Sequence, residues 1–378
     1  MKIGIFETEH FEGSYPVIKL FDYNNNDITV FAYEQAYEQF KHLFPEEPKR
    51  YTWKVKPEKR SKHLFILDMY REIKKNNISL VYLNTVSNNF FVYALMVFFL
   101  RRVRVVLTIH NINTWFEYKR SFSFRRIVRY LGRKLLISVV RDFNVVALTM
   151  IHPLEKKLGL TRKVHCLPGA VFEADNIKQT QADPCDRINI VIPGAVDGRR
   201  RNYQAVFDLI TVLETEKLPA TIIFLGRFYE EYGANILQRC STWPQVHTEL
   251  NYYEFEIVDQ PEFDRVMNKA SCVFIPSVLQ TIIEDGVTEF YGTTISSGNL
   301  FDVIKHAKPF IIPRELPVDH FLERSCFRYK NTKDIVQLIS TLHQQPGYYA
   351  EWLKSAMQSS GNYTMEKVRE RNPGLFTA

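Results

Sequence analysis

Four stretches of the sequence hold side chains that can do chemistry. The densest runs from Gly292 into an apolar helical pattern that starts near Leu300. There Thr294, Ser296, Ser297, Gly298 and Asn299 put hydroxyls, a bare backbone and an amide directly before a helix start. Unpaired N–H groups at such a start, with the positive end of the helix dipole, suit the oxygens of a diphosphate. An ordinary cap by Ser297 or Asn299 would use the same residues. The second stretch follows an apolar strand, at Gly194 and then Arg199, Arg200 and Arg201. Its guanidinium forks match phosphate geometry, although a solvated basic turn reads the same way. The third, Thr108-Ile109-His110-Asn111, closes another apolar strand. A histidine there can donate to a sugar hydroxyl or phosphate, or move a proton. The loop from Glu7 to Pro16, with His10 and Gly13, would face the same crevice. In the fourth, Phe124, Ile127, Val128, Leu131, Leu135 and Val139 recur at helical spacing beside Arg125, Arg129 and Arg133. Such an Arg-rich amphipathic helix fits an anionic membrane surface; the alternative is a helix packed by its apolar face with solvated arginines.

The elements that must position these residues alternate between short apolar runs and helical patterns. Strand-like runs fall at 2–6, 28–32, 80–83, 103–109, 144–148 and 163–167, then at 188–192, 220–225, 272–275 and 309–312. Helical stretches between them argue for parallel sheets covered on both faces. The alternation breaks at DNIKQTQADPCDR (175–187), which is polar and aperiodic. The expected architecture is therefore two doubly wound, Rossmann-like α/β domains facing each other across a cleft. They cover 1–175 and 188–378, with a linker at 176–187 and a last helix able to pack back on the first domain. In such sheets ligands bind beyond the carboxyl ends of the strands, where all the loops above lie.

Composition narrows the function classes. The chain has 378 residues, 46% apolar and 24% charged, which suits a cored protein of two domains at ~150 residues each. Its net charge of +7 is local: residues 101–141 hold eleven Lys or Arg against Glu117 alone, leaving −3 on the other 337. Aromatic residues do not interleave with that basic stripe, so no nucleic-acid partner is expected. Five scattered cysteines read as reduced thiols of a cytoplasmic protein. Polar Glu7 and Glu9 follow the first short strand, against a secretory signal. The most apolar run, FFVYALMVFFL (90–100), would span ~17 Å as a helix, too short for a ~30 Å hydrocarbon core. The expected location is the inner face of the cytoplasmic membrane, peripherally. Fingerprints of dinucleotide sites, P-loops, zinc hydrolases and serine hydrolases are absent. No Asp-x-Asp pair is present to hold a divalent metal beside a nucleotide diphosphate, so no metal and no cofactor is expected.

Taken in order, several motifs resemble the GT-B glycosyltransferases, particularly the large retaining group of bacterial polysaccharide enzymes. TIHN (108–111) is similar to that group's strand ending in an active-site histidine. VHCLPGAVF (164–172) resembles the segment before the interdomain linker, and IVIPGAVDGRRRNY (190–203) the opening of the nucleotide domain. FDRVMNKASCVFIPS (263–277) and NLFDVIKHAKPFIIP (299–313) look like the approach to the donor site and the donor-site helix. The group's paired-Glu motif falls on Thr294 and Asp302, with Glu289 five residues upstream of the first position. The resemblance implies a retaining, metal-independent transfer from a nucleotide-sugar to a glycan or lipid-linked acceptor in cell-surface polysaccharide synthesis. His110 and Glu289 would be catalytic. Arg199, Arg201, Thr294, Ser296, Ser297, Gly298 and Asn299 would hold the donor diphosphate, and Gly194 and Asp302 the nucleoside and sugar. His10, Gly13 and Asn111 would face the acceptor in the first domain, while Arg125, Arg129 and Arg133 meet the membrane. A sugar-nucleotide epimerase of the same architecture, or a catalytically silent nucleotide-sugar-binding scaffold subunit, are the alternatives.

Overall fold

The structure, a computed structural model, describes every residue except 9–10, 45–49, 120–122, 160, 175–186, 245, 255–257 and 377–378. His10 and all of the expected linker but Arg187 thus lie outside the described residues. The first sheet is built from β1 (Lys2–Glu7), β2 (Asp27–Tyr33), β3 (Thr52–Lys56), β4 (Leu80–Leu83), β5 (Arg104–Thr108), β6 (Asp142–Val145) and β7 (Lys163–Cys166). Helices α1 (Phe11–Phe21), α2 (Glu34–Leu43), α3 (Lys62–Lys75), α4 (Phe90–Phe99), α5 (Ile112–Phe116), α6 (Phe124–Val139) and α7 (Ile151–Leu158) intervene. All pairs are parallel, in the order β3-β2-β1-β4-β5-β6-β7. Strand β4 and residues 3–6 of β1 are buried without charged side chains at the sheet centre, because helices cover both faces.

The second sheet holds β8 (Ile188–Pro193), β9 (Ala220–Leu225), β10 (Thr248–Tyr252), β11 (Cys272–Phe274), β14 (Phe310–Pro313) and β15 (Cys326–Tyr329). Its order is β10-β9-β8-β11-β14-β15, again parallel. Helices α8 (Tyr203–Thr215), α9 (Glu230–Ser241) and α12 (Thr332–Gln344) lie on one face, with α10 (Gln260–Lys269) and α11 (Gly298–His306) on the other. The chain changes direction across the sheet between β8 and β11, so their carboxyl ends frame a crevice. Between β11 and α11 an antiparallel hairpin, β12 (Gln280–Ile282) and β13 (Thr288–Phe290), stands outside both sheets.

After α13 (Pro346–Ser360) the chain returns to the first domain as α14 (Met365–Arg371) and α15 (Pro373–Phe376). Val368 and Leu375 enter the first domain's core. Asn372 holds both sides of the Cys166 peptide at 3.0 Å, its Oδ1 accepting from the N–H and its Nδ2 donating to the carbonyl.

Helix α6 sits the opposite way round from the arrangement its charge pattern suggests. Arg133 is 2% exposed, and its guanidinium donates to the Thr114 carbonyl (2.9 Å), Asp285 (3.0 Å) and Glu284 (2.8 Å). Arg129 joins the same two carboxylates at the hairpin tip, at 2.9 and 3.3 Å. Neither is available to a membrane, which corrects that assignment; Arg125 is exposed. Among the described residues no helix is long and apolar enough to cross a bilayer.

Candidate functional site

Strand β8 ends at Pro193, and Gly194 turns the chain at φ +84. A Cβ at Gly194 would come within 2.6 Å of the Arg201 guanidinium, so only glycine fits both the angle and the space. Arg201 is 9% exposed and donates to Asn299 Oδ1 at 2.8 Å, while Asn299 Nδ2 donates to the Pro193 carbonyl at 2.7 Å. Carbonyls left over where a strand stops need donors, and these two side chains supply them. Together they close the β8 loop onto the first turn of α11. Arg201 and Asn299 therefore shape the expected diphosphate site rather than reach into it.

What remains to meet a ligand is the start of α11. Ser297 is its N-cap by position and is buried, yet its side chain makes no capping bond. Gly298 is exposed and has open space where a side chain would stand. Ser296 Oγ is buried with no hydrogen-bond partner among the described residues. A buried hydroxyl without a partner costs ~1–3 kcal/mol, which a bound acceptor group would recover. Arg199 reaches the rim, where its guanidinium forks onto Asp197 at 3.0 Å. Burial works against ionisation of Asp197, but the Arg199 contacts outweigh it and hold the carboxyl below its usual range. Beside this start, the loops after β8 and β11 pair through Asn202 N–H to the Pro276 carbonyl (2.7 Å). A pocket of about 470 Å³ opens there, lined by Gly198, Arg201, Asn202, Tyr232, Ser277 and Tyr329 among others.

One turn along α11, Asp302 is half-buried beside Asn299. Burial, with the charge of Glu12 on α1 adding to it, pushes its carboxyl up to about 7. Gly13, next to Glu12, has open space around it.

On the first domain, His110 Nε2 lies 2.9 Å from the Asn84 carbonyl. A carbonyl only accepts, so Nε2 carries the proton in the neutral ring. Asn84 is itself held by Glu7, which is fully buried at the end of β1 and accepts from Asn84 Nδ2, Ser14 Oγ and Thr8 N–H, each at 2.6 Å. The sequence places Glu7 at the start of the crevice-facing loop but gives it no role there. Its signal was a lone carboxylate closing an apolar strand at the sheet edge where ligands bind.

Three expected site residues are used elsewhere. Glu289, expected to be catalytic, is fully buried and accepts from the N–H groups of Asn113 (3.2 Å) and Thr114 (2.7 Å) and from Thr114 Oγ1 (2.7 Å). It caps α5 from across the cleft, where the helix's first N–H groups lack partners of their own. Burial pushes its carboxyl above the usual value. The Thr294 carbonyl accepts from Ile112 N–H at 2.9 Å, and its hydroxyl accepts from Phe290 N–H at 2.7 Å. Asn111 pairs with Ile295 in an antiparallel bridge. With the hairpin ion pairs, these contacts form a clamp between the domains. Glu289 and Thr294 thus turn away from the donor position, and the Asn111 backbone joins the clamp.

Neither a known protein family nor a curated protein matches the sequence. Solved structures do match along the whole chain. The Anabaena protein HepE, solved with UDP and glucose, is 11% identical, covers 100% of both chains and gives a TM-score of 0.66. The UDP-GlcNAc 2-epimerase of Neisseria meningitidis, bound to UDP-GlcNAc, is 13% identical over 99% of this chain and 100% of its own, with a TM-score of 0.59. The glycotransferase of kitacinnamycin is 8% identical over 98% and 97%, at 0.52. With its two parallel sheets and the crevice between them, this chain has the GT-B fold.

Proposed function

We propose that this GT-B chain transfers a sugar from a nucleotide-sugar to a glycan or lipid-linked acceptor at the inner face of the cytoplasmic membrane, in cell-surface polysaccharide synthesis. The observation that carries the donor site is the start of α11: an unpartnered buried Ser296 hydroxyl beside exposed Gly298, under a loop fixed by Arg201 and Asn299. The uridine class of donor is supported by the Anabaena and Neisseria proteins of the same fold, solved with UDP and UDP-GlcNAc. Charge developing on the departing diphosphate would be met by the helix N–H groups, Ser296, Ser297 and Arg199, a preorganised field needing no cation. His110, oriented through Asn84 and Glu7, stands on the acceptor side. The interdomain clamp keeps water from the donor, which suppresses hydrolysis.

A second reading is a sugar-nucleotide 2-epimerase. It is favoured by the epimerases among the matching structures, from Neisseria and also Methanocaldococcus jannaschii at a TM-score of 0.56. It is favoured too by the pairing of Asn111 with Ile295 across the cleft, since a reaction on the donor alone needs no acceptor entrance. Incubation with UDP-sugars in deuterated water separates the two. A transferase leaves the donor sugar unexchanged and unepimerised without acceptor, and moves labelled sugar when membrane glycolipids are added. Deuterium at the carbon next to the anomeric centre, with the epimer formed in the absence of acceptor, would overturn the transferase reading.

A further inference from the structure

Helices α4 and α6 carry a second surface that the donor site does not use. Gly132 brings them into close approach: a Cβ there would lie 2.9 Å from the Phe90 Cβ and 3.1 Å from the Phe91 ring. Because Arg133, Leu136 and Ile137 take the inward side of α6, its apolar stripe is turned outward. Phe124 is 78% exposed, and Ile127 and Leu131 continue its face along the helix. On α4, Leu95, Phe98 and Phe99 do the same, at 54%, 46% and 59%. The two stripes form one apolar surface of a kind that folded chains rarely leave to water.

We infer that this α4–α6 face lies in the plane of an anionic bilayer, its phenylalanines and leucines inserted at the headgroup boundary. Its rim is basic: Arg101 and Arg102 follow α4, Lys119 precedes α6, Arg125 lies in the first turn of α6, and all four are exposed. The Arg101 guanidinium sits 4.7 Å over the Phe98 ring, a pairing of charge with apolar side chain that suits the headgroup zone. The single acid between residues 90 and 141, Glu117, is paired with Lys157. A second copy of the chain is the poorer occupant, because a two-fold contact would set like charges against each other around the rim. The carboxylates of Glu284 and Asp285 at the hairpin tip are likewise held by Arg129 and Arg133. An apolar centre with a cationic border whose carboxylates are paired is instead the pattern of a monotopic surface. This rests on the membrane part of the proposed function and not on the donor site. It moves the contact from the arginine stripe to the apolar face.

Flotation with vesicles of phosphatidylcholine, alone or mixed with phosphatidylglycerol, tests it. The wild type should bind the anionic vesicles, less so as salt rises. The combined variant Leu95→Ser, Phe99→Ser, Leu131→Ser should bind about tenfold more weakly or worse, with an unchanged melting temperature, since these side chains are exposed. Arg101→Gln with Arg102→Gln and Arg125→Gln should weaken binding about a hundredfold, since three charges near the surface are lost. Undiminished binding of the serine variant, with loss in the glutamine variant, would leave membrane contact standing and overturn the apolar-face assignment. No wild-type binding to either vesicle would overturn both. A wild-type dimer in light scattering that the serine variant makes monomeric would overturn the inference in favour of a second copy.

Discussion

Replacing Asp302 by asparagine keeps the side chain's shape and removes its charge, and the consequence is a pH-dependent gain in stability. In the folded protein, burial and the nearby Glu12 push the Asp302 carboxyl up to about 7, from 3.8 for the free group. Because the folded value is the higher one, folding takes up a proton between the two. The group's contribution is whole below pH ~4 and is lost as pH rises through about 7. At 1.36 kcal/mol per pH step, that interval corresponds to a ceiling of ~4 kcal/mol. The side chain keeps some solvent contact, and screening brings the figure to ~2 kcal/mol. Asp302→Asn should thus match the wild type near pH 4 and exceed it by ~2 kcal/mol at pH 8. Urea unfolding followed by tryptophan fluorescence reads the difference directly. Glu12→Gln should shrink the pH dependence in an otherwise unchanged chain. A gap that does not vary with pH, or a variant less stable than the wild type at pH 8, would refute the reasoning.

Other consequences follow from the clamp and the loop. Glu289→Ala removes the acceptor from the buried N–H groups of Asn113 and Thr114, so equilibrium unfolding should show a loss of ~2–6 kcal/mol, with Glu289→Gln costing less. A variant within ~0.5 kcal/mol of the wild type would deny the capping role. Arg133→Met strands the Thr114 carbonyl and removes the buried partner of the hairpin carboxylates, which keep only the more exposed Arg129 and Arg126. It should cost ~3–5 kcal/mol, and a double-mutant cycle with Asp285→Asn should give clear coupling, whereas additive losses would contradict the pairing. Gly194→Ala forces a side chain into a left-handed turn against Arg201. Melting should show a loss of ~1–3 kcal/mol, and UDP binding should weaken; an unchanged protein would mean that the loop can yield.

The parallel centres of both sheets were legible in the sequence because they are buried on both faces and read as continuous apolar runs. Strands β3, β10 and β15 were not. Each stands at a sheet edge, where segments such as TWKVK and TELNY alternate polar and apolar and lose that signature. The hairpin β12–β13 was missed as well, since three-residue strands outside a sheet leave too short a pattern. That omission explains the misplacement of α6. Without Glu284 and Asp285 to receive Arg129 and Arg133, a helix with an arginine stripe has every reason to turn it to water. The start of α11 was legible because hydroxyls before a helix are a local signal. The role of Glu289 was not, because its partners lie about 175 residues away.

Calorimetric titration of UDP into the wild type and into Ser296→Ala tests the donor site most directly. Saturable binding to one site is expected in the wild type. Losing a hydroxyl that serves a charged phosphate should weaken it about tenfold or more, as ~1.5–3 kcal/mol implies. No binding of UDP to the wild type, or equal affinity in the two proteins, would contradict the placement of the nucleotide at α11.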